Sequence, residues 1–374
     1  MKSIKELFKP GTDDEDSPAG GVRALLARIK RGPVDLLAVD VASTAVKAVR
    51  MEKTPEGAVV SDAQILPAVN IEPSTAKATA TSESADKEDE EPEVAPMELP
   101  KSLVARYVSI SVSTDAAVVK LLNIPGNHPD DVAGDVVNHM GLEDTDKYRI
   151  GYKIIGEGST RNETRVLAMA VPDEIIGRAC ELFPSGQPAP FSVEASGLAA
   201  MTAFMHGPAM EHDEGAVGCL DFGARYSYYS MFVDGVLSLI RRFSFGSDIL
   251  LNRIEEKLGV DRDTAIGVMS DGSFDLSQHI RDTQNQFIKQ LTISRDFVER
   301  RHNCNVQKIF ISGGIVNSRA WISEIESALG TEVGSWNPFE SVSFKSEELP
   351  ERLKGQETRF AAAIGTGLAT FEDT

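Results

Sequence analysis

Residues 36–49 read LLAVDVASTAVKAV, and this stretch decides the fold because its design recurs later in the chain. An apolar strand ends at Asp40, a turn of small residues follows, and an alternating strand returns. Residues 217–233, VGCLDFGARYSYYSMFV, repeat the same order around Asp221. Two copies of one Asp-centred hairpin predict a duplicated, two-lobed α/β fold.

The hairpins carry groups that suit phosphate and a divalent cation. A turn of small residues lets backbone N–H groups approach a phosphate closely. An aspartate at a strand end orders Mg²⁺ through water or positions an attacking water. The predicted roles are Mg²⁺ binding for Asp40, catalysis for Asp40 and Asp221, and phosphate contacts for the turn residues Ser43, Thr44, Gly223, Ala224 and Arg225.

Each role has a plain structural alternative. Asp40 could cap its own turn, and Arg225 could be a solvated turn residue. Lys47 could reach a phosphate or be solvated, and the solvated interpretation is preferred. Tyr226, Tyr228 and Tyr229 are explained by strand packing.

A third element, FISGGI at residues 310–315, is a strand that ends in two glycines. A helix that begins near Ser318 would then bring backbone against a nucleoside, with Gly313 and Gly314 facing adenosine. The alternative is ordinary helix-entry geometry. Glu194 could orient water as a catalytic residue, or it could cap a helix.

Composition excludes several classes of function. The chain has 374 residues, which predicts two or more domains, and a formal net charge of −19. Such an acidic chain does not favour broad binding of nucleic acid. The 3 cysteines and 6 histidines show no spacing typical of metal ligands. No apolar run reaches 18 residues and no secretory signal is evident, so we expect a cytoplasmic protein.

Low-complexity stretches divide the chain. VRALLARIKR at 22–31 could form a basic amphipathic helix, either for lipid or a partner or simply as a leader helix. The acidic stretch 68–100 reads as a disordered linker. The predicted units are a leader (1–32), the first part of lobe 1 (33–67), the linker (68–100), an α+β block (101–190), the crossover of lobe 1 (191–215), a second lobe (216–355) and a closing helix (356–374).

Three segments together resemble the type IV pilus assembly ATPase family PilM, a relative of the FtsA branch of the actin/Hsp70 superfamily. They are VDLLAVDVASTAVKAV, LDFGARYSYYSMFVDGVLSLIRRFSFGSDIL and FISGGIVNSRAWISEIESALGTEVGSWNPFESV, and AAAIGTGLA resembles the closing helix. The resemblance implies a two-lobed actin-like ATPase (ribonuclease H-like) fold with an inserted α+β subdomain of the 1C type. It covers residues 33–374, and it implies that 33–67 belongs to a subdomain 1A and that 101–190 is a 1C-like subdomain.

The resemblance also implies a function. Members of this family are cytoplasmic, bind ATP with Mg²⁺, and bind an N-terminal peptide of the inner-membrane protein PilN in a groove of the 1C subdomain. They thereby couple the pilus alignment complex to motor components at the inner face of the membrane, so membrane association is indirect.

Two departures from the family pattern predict weak or lost nucleotide binding. Ala42 stands where the family usually has glycine, and residues 265–269 are the apolar AIGVM where relatives often place Glu and Lys. We therefore expect at most a slow ATPase. The alternatives are an adaptor without nucleotide, an FtsA-like filament protein at the membrane, and a small-molecule kinase, for which an acceptor site is not evident.

Overall fold

The computed structural model describes residues 32–73, 94–126, 132–158, 160, 162–184, 186–212, 214–271, 274–346 and 349–372. The predicted leader helix at 22–31 lies outside these residues. Among the helices of the described ranges, none combines the length and the apolarity that a membrane span needs.

The first sheet is built on the first hairpin. Its strands are β1 (Asp35–Val41), β2 (Val46–Thr54), β3 (Gly57–Leu66), β4 (Tyr107–Val112) and β8 (Ala189–Ala195), in the order β3-β2-β1-β4-β8. β1 pairs antiparallel with β2 and parallel with β4. Since both faces of β1 are covered, nearly every residue of this strand is buried, as expected for a continuous apolar run.

The second sheet repeats the first. Its strands are β9 (Ala216–Phe222), β10 (Ser227–Val233), β11 (Val236–Phe243), β12 (Val306–Gly313) and β13 (Glu332–Ser335), in the order β11-β10-β9-β12-β13. β9 pairs antiparallel with β10 and parallel with β12, as β1 does with β2 and β4. Strand order and direction therefore agree in the two lobes.

Two helices of small residues pack against each other between the sheets: α3 (Ser196–Met205) and α9 (Ala361–Glu372). A Cβ on Gly365 would lie 1.7 Å from the carbonyl oxygen of Ala199, so only glycine allows this approach. One hydrophobic core joins both lobes at these helices and includes Phe204 beside Phe232 and Phe310.

Four further helices complete the second lobe: α5 (Ser247–Leu258), α6 (Arg262–Asp271), α7 (Ser277–His302) and α8 (Arg319–Leu329). They bury their apolar faces in a second core with the inner side chains of β9 and β12. The Ser318 side chain accepts a hydrogen bond from the Trp321 N–H, so the predicted helix start near Ser318 is confirmed.

The insertion is an α+β unit that begins after β4 and returns at β8. It contains β5 (Val118–Pro125), α1 (Val132–Met140), β6 (Tyr148–Glu157), β7 (Glu163–Pro172) and α2 (Asp173–Glu181). Its antiparallel sheet has the order β5-β7-β6, and α1 covers one face through a small core of its own. Shorter elements elsewhere are α4 (Pro208–Glu211), β14 (Ser343–Phe344) and 3₁₀ turns at 101–103, 145–147, 338–341, 351–353 and 357–360.

Long-range pairing places some segments differently from the sequence-based division. β4 is a central strand of the first sheet, although 101–190 was assigned to the insertion. β14, within 216–355, pairs with β3. At the ends of the predicted 68–100 linker, Ile71 is buried and the Met97 N–H donates to the Leu182 carbonyl at 2.9 Å. Residues 74–93 lie outside the described ranges.

Two sheets with the same 3-2-1-4-5 order, joined through packed helices, form a duplicated ribonuclease H-like architecture. The predicted fold class, a two-lobed actin-like fold with an α+β insertion, is confirmed.

Candidate functional site

The carboxyl ends of β1 and β9 bring the two predicted aspartates near each other. Asp40 and Asp221 are each the residue before last in their strand. Asp40 and Lys47 lie close enough to Asp221 for their charges to act on it. The structure therefore brings the two hairpins near each other, as their chemistry requires.

Asp40 is only 4% exposed, and its carboxylate accepts three hydrogen bonds. Lys47 Nζ donates to one oxygen at 2.8 Å. The hydroxyl groups of Ser196 and Ser111 donate to the other oxygen at 2.6 and 3.3 Å. These donors come from β2, α3 and β4, so they attach the first hairpin to the rest of its lobe.

Lys47 is 8% exposed, so its interpretation as a solvated lysine is wrong. In the antiparallel register of β1 and β2, Asp40 lies directly opposite Lys47. This cross-strand position lets the ammonium group neutralise the buried carboxylate.

Asp221 is partly exposed and accepts a hydrogen bond from the Ser312 hydroxyl at 2.9 Å. Burial raises the pKa of Asp221 to about 6, the like charge of Asp40 adds to the rise, and Ser312 and Lys47 oppose it. Since this pKa lies below 7, Asp221 is ionised at neutral pH, and Ser312 and Lys47 offset only part of the cost.

The second turn has a fixed shape. The Gly223 N–H donates to the Tyr226 carbonyl at 3.1 Å, and a Cβ on Gly223 would lie 2.6 Å from that oxygen. The first turn of α5 donates to the carbonyls of Gly223 and Ala224, from Ser247 N at 3.0 Å and Asp248 N at 2.9 Å respectively. Arg225 is exposed, which fits the solvated alternative.

The first turn is as exposed as the second. Ala42 and Ser43 are partly exposed, and Thr44 is exposed. These residues link β1 to β2 next to the buried Asp40–Lys47 pair. They lie at the same position in the first lobe as residues 223–225 do in the second.

Gly313 has a direct structural role. Its φ is +122°, and a Cβ there would lie 2.1 Å from the carbonyl oxygen of Phe222. Beside Gly314, a Cβ would lie 3.9 Å from Nε of Arg359. Burial lowers the pKa of Arg359, whose Nη1 donates to Gln356 at 2.8 Å. Arg359 therefore places a cation next to Gly313 and Gly314, and the sequence pattern did not predict this arginine.

Glu194 lies in β8, opposite Ser111 of β4. The N-cap of α3 is the next residue, Ala195, whose side chain makes no capping hydrogen bond. Glu194 lies in the strand that leads into the site beside Ser196.

Sequence reasoning missed Ser111, Ser196 and Ser312, the hydroxyl donors to the two carboxylates. Ser111 and Ser312 lie near the ends of buried apolar strands, where a small polar residue is a usable signal. Ser196 carries no such local mark, because its partner Asp40 is 156 residues away.

The donor set fits Mg²⁺ held through water. Within the described residues, no group of three or more His, Cys, Asp or Glu side chains is placed to ligate a metal directly. Two facing carboxylates with a raised pKa at Asp221 nevertheless favour a cation between them. On α6, Ala265, Val268 and Met269 are buried in the second core, whereas Ile266 is 46% exposed.

Comparison with known proteins gives a family and a fold. A family model described as "Type IV pilus assembly protein PilM" matches residues 38–371. Among curated proteins, none matches at a significant level. A solved structure, "PilM-PilN type IV pilus biogenesis complex", superposes with a TM-score of 0.72 at 17% identity and covers 90% of this chain and 98% of that chain.

Two other solved structures are more distant. The ethanolamine utilization protein EutJ from Carboxydothermus hydrogenoformans has a TM-score of 0.43 at 11% identity and covers 90% of each chain. An archaeal actin homolog has a TM-score of 0.43 at 12% identity and covers 91% of this chain and 100% of that chain.

Proposed function

The chain belongs to the type IV pilus assembly protein PilM family, and from this membership we propose that it is a nucleotide-binding scaffold that holds a peptide of a PilN-like inner-membrane protein. It would act in the cytoplasm at the inner face of the membrane, with indirect membrane association. The observation that carries the nucleotide proposal is the pair of carboxylates, Asp40 and Asp221, which end equivalent strands of the two lobes and lie close enough for their charges to interact.

In this proposal each hairpin holds one side of a polyphosphate. Asp40 and Asp221 hold Mg²⁺ through water, and the turns at 42–44 and 223–225 approach the phosphates. Gly313, Gly314 and Arg359 lie on the side assigned to adenosine. The bound cation would neutralise both the carboxylates and the phosphates.

Glu194 is the proposed residue for orienting water. Asp40 is not free to act as a base, because Lys47, Ser111 and Ser196 already donate to it. Any hydrolysis would therefore be slow.

A second candidate is an adaptor without nucleotide. Lys47 already neutralises Asp40 at 2.8 Å, so the first hairpin is stable without a bound cation. Ala42 adds a methyl group where the family usually has glycine, and this narrows the approach to the turn.

Calorimetric titration with Mg-ATP separates the two candidates. The nucleotide proposal predicts one site per chain and an affinity at least about tenfold weaker in Asp40→Asn and Asp221→Asn. Asp263→Asn, an exposed carboxylate on α6, is the matched control and should bind like wild type. An absence of heat with wild type would leave only the adaptor.

For the peptide, we propose addition of a strand to β6. In the described part of the insertion, β5 lies against β11 of the second lobe, whereas β6 pairs with β7 on one side only. An unpaired strand edge is a template for an extended peptide.

The surroundings of β6 suit this role. Ile154 is 43% exposed, and Lys153 Nζ lies 3.8 Å from Glu372 at the end of α9. β6 therefore lies near the end of α9, where the insertion meets the first lobe.

Fluorescence anisotropy with the N-terminal peptide of a PilN-like protein tests this site. Ile154→Glu should weaken binding at least about tenfold, because it adds a charge at the edge. Ile266→Glu is the matched control, since Ile266 is similarly exposed at 46% but lies on α6. Equal losses in both variants, or none in Ile154→Glu, would exclude β6 as the peptide site.

A further inference from the structure

The loop 113–117 joins the first phosphate hairpin to the insertion. It follows β4 and leads directly into β5. The Ser113 N–H donates at 3.0 Å to the carbonyl of Val41, the residue after Asp40. The end of β1 is therefore connected to the start of β5 through one hydrogen bond and one short loop.

Arg242 of β11 holds the same loop from the second lobe. Its Nη1 lies 3.3, 2.6 and 3.2 Å from the carbonyl oxygens of Thr114, Asp115 and Ala117. These carbonyls converge on one guanidinium group, and charge-assisted bonds of this kind are stronger than neutral ones. Arg242 is exposed to solvent, so water competes for these bonds and they can open and close.

The guanidinium group of Arg242 also lies 5.2 Å from the ring centroid of Tyr226. Tyr226 is the residue after the second phosphate turn, and its carbonyl accepts the Gly223 N–H. The Tyr226 side chain is also hydrogen-bonded to the Asp115 side chain. The Thr114 side chain is hydrogen-bonded to Glu72. Loop 113–117 is thus bound to both phosphate hairpins.

A second arginine holds the insertion to the same strand. Nη2 of Arg165, on β7, donates to the carbonyl of Ser238 at 2.6 Å. The Ser238 hydroxyl lies 2.7 Å from Nε2 of His302 at the end of α7. β11 therefore forms hydrogen bonds with the insertion at Ser238 and with the loop leading into it at Arg242.

We propose that β11, through Arg242 and loop 113–117, is a latch that couples closure of the cleft to the position of the inserted subdomain. Closure moves the second hairpin relative to the first, and Arg242 transmits that movement to β5. The latch rests on the proposed function, since it links the nucleotide site to the peptide-binding unit. By thermodynamic reciprocity, nucleotide and peptide then change each other's affinity by the same factor.

Hydrogen–deuterium exchange of the full chain, with and without saturating Mg-ADP, tests the latch. In wild type, Mg-ADP should slow exchange in the hairpin 40–47 and also, by about fivefold or more, in β5. Arg242→Ala should keep the protection of 40–47 but lose that of β5. Arg242→Lys, which keeps a charge without the fork of donors, should retain only part of it.

The matched control is Arg241→Ala. Arg241 is the adjacent residue of β11, but its Nη1 donates to Ser294 Oγ at 3.1 Å within the second lobe. This variant should behave like wild type. If β5 stays protected in Arg242→Ala, or is not protected in wild type while 40–47 is, the latch is refuted and nucleotide binding stands. If Mg-ADP protects neither region of wild type, both the nucleotide site and the latch are refuted.

Discussion

Replacing Asp221 with asparagine should stabilise the protein at neutral pH. Burial and the facing Asp40 raise the pKa of Asp221 from 3.8 to about 6, so the fold holds its ionised form at a cost. The asparagine side chain keeps an oxygen that can accept from Ser312 and removes the charge. The substitution therefore removes the free-energy cost of holding an ionised carboxylate at this position.

The size and sign of the effect follow from the pKa. A difference of about 2 pH units corresponds to about 3 kcal/mol at about 1.4 kcal/mol per unit, which is an upper value because Asp221 is partly exposed. Below pH 4 the group is protonated in both states and contributes nothing. Between pH 4 and 6 only the unfolded chain loses the proton, so wild-type stability falls as pH rises, and above pH 6 the full penalty remains.

Urea denaturation of wild type and Asp221→Asn at pH 5, 6, 7 and 8 measures this difference. The gain in the free energy of unfolding should reach about 1–3 kcal/mol at pH 8 and shrink toward pH 5. Asp263→Asn, at an exposed site, should show no such pH-dependent gain. A gain of equal size at every pH, or a loss at pH 8, would refute the assignment of a partly buried, destabilising charge to Asp221.

Three further predictions concern packing and the cleft. Gly365→Ala should lower the free energy of unfolding by about 3 kcal/mol or more, because the new Cβ would lie 1.7 Å from a backbone oxygen. Gly177→Ala, at a helix position with open space around it, should raise it by about 0.5–1 kcal/mol. Thermal unfolding measures both changes. Lys47→Met should cost about 3–5 kcal/mol at pH 7, and adding Asp40→Asn should recover most of it in a double-mutant cycle. Ser312→Ala removes the hydroxyl that donates to Asp221 and should therefore raise the pKa of Asp221 further. In the same urea series, the pH at which the destabilisation by Asp221 is half complete should rise by about 1 unit.

The sequence contained enough to predict both hairpins and the helix that begins after Ser318. These features depend on local patterns: an apolar run, a turn of small residues and a capping serine. Their repetition at Asp40 and Asp221 also predicted that the lobes share one topology, and the two sheets confirm it.

Contacts between distant segments were not predictable in this way. Lys47 looked like a solvated lysine, because its pairing depends on the register of β1 and β2. Ser196 reaches Asp40 from 156 residues away, and Arg242 reaches loop 113–117 from the other lobe. Local periodicity shows which side of an element is apolar, but it does not show which element will cover that side.

Equilibrium titration of the wild-type chain with ATP, once with Mg²⁺ and once with EDTA, tests the central claim most directly. Because Asp221 is ionised at neutral pH and would repel an unshielded phosphate, ATP should bind to one site per chain with Mg²⁺ and at least about tenfold more weakly with EDTA. Equal affinity in both conditions, or no binding in either, would contradict a cation-bridged nucleotide site between Asp40 and Asp221.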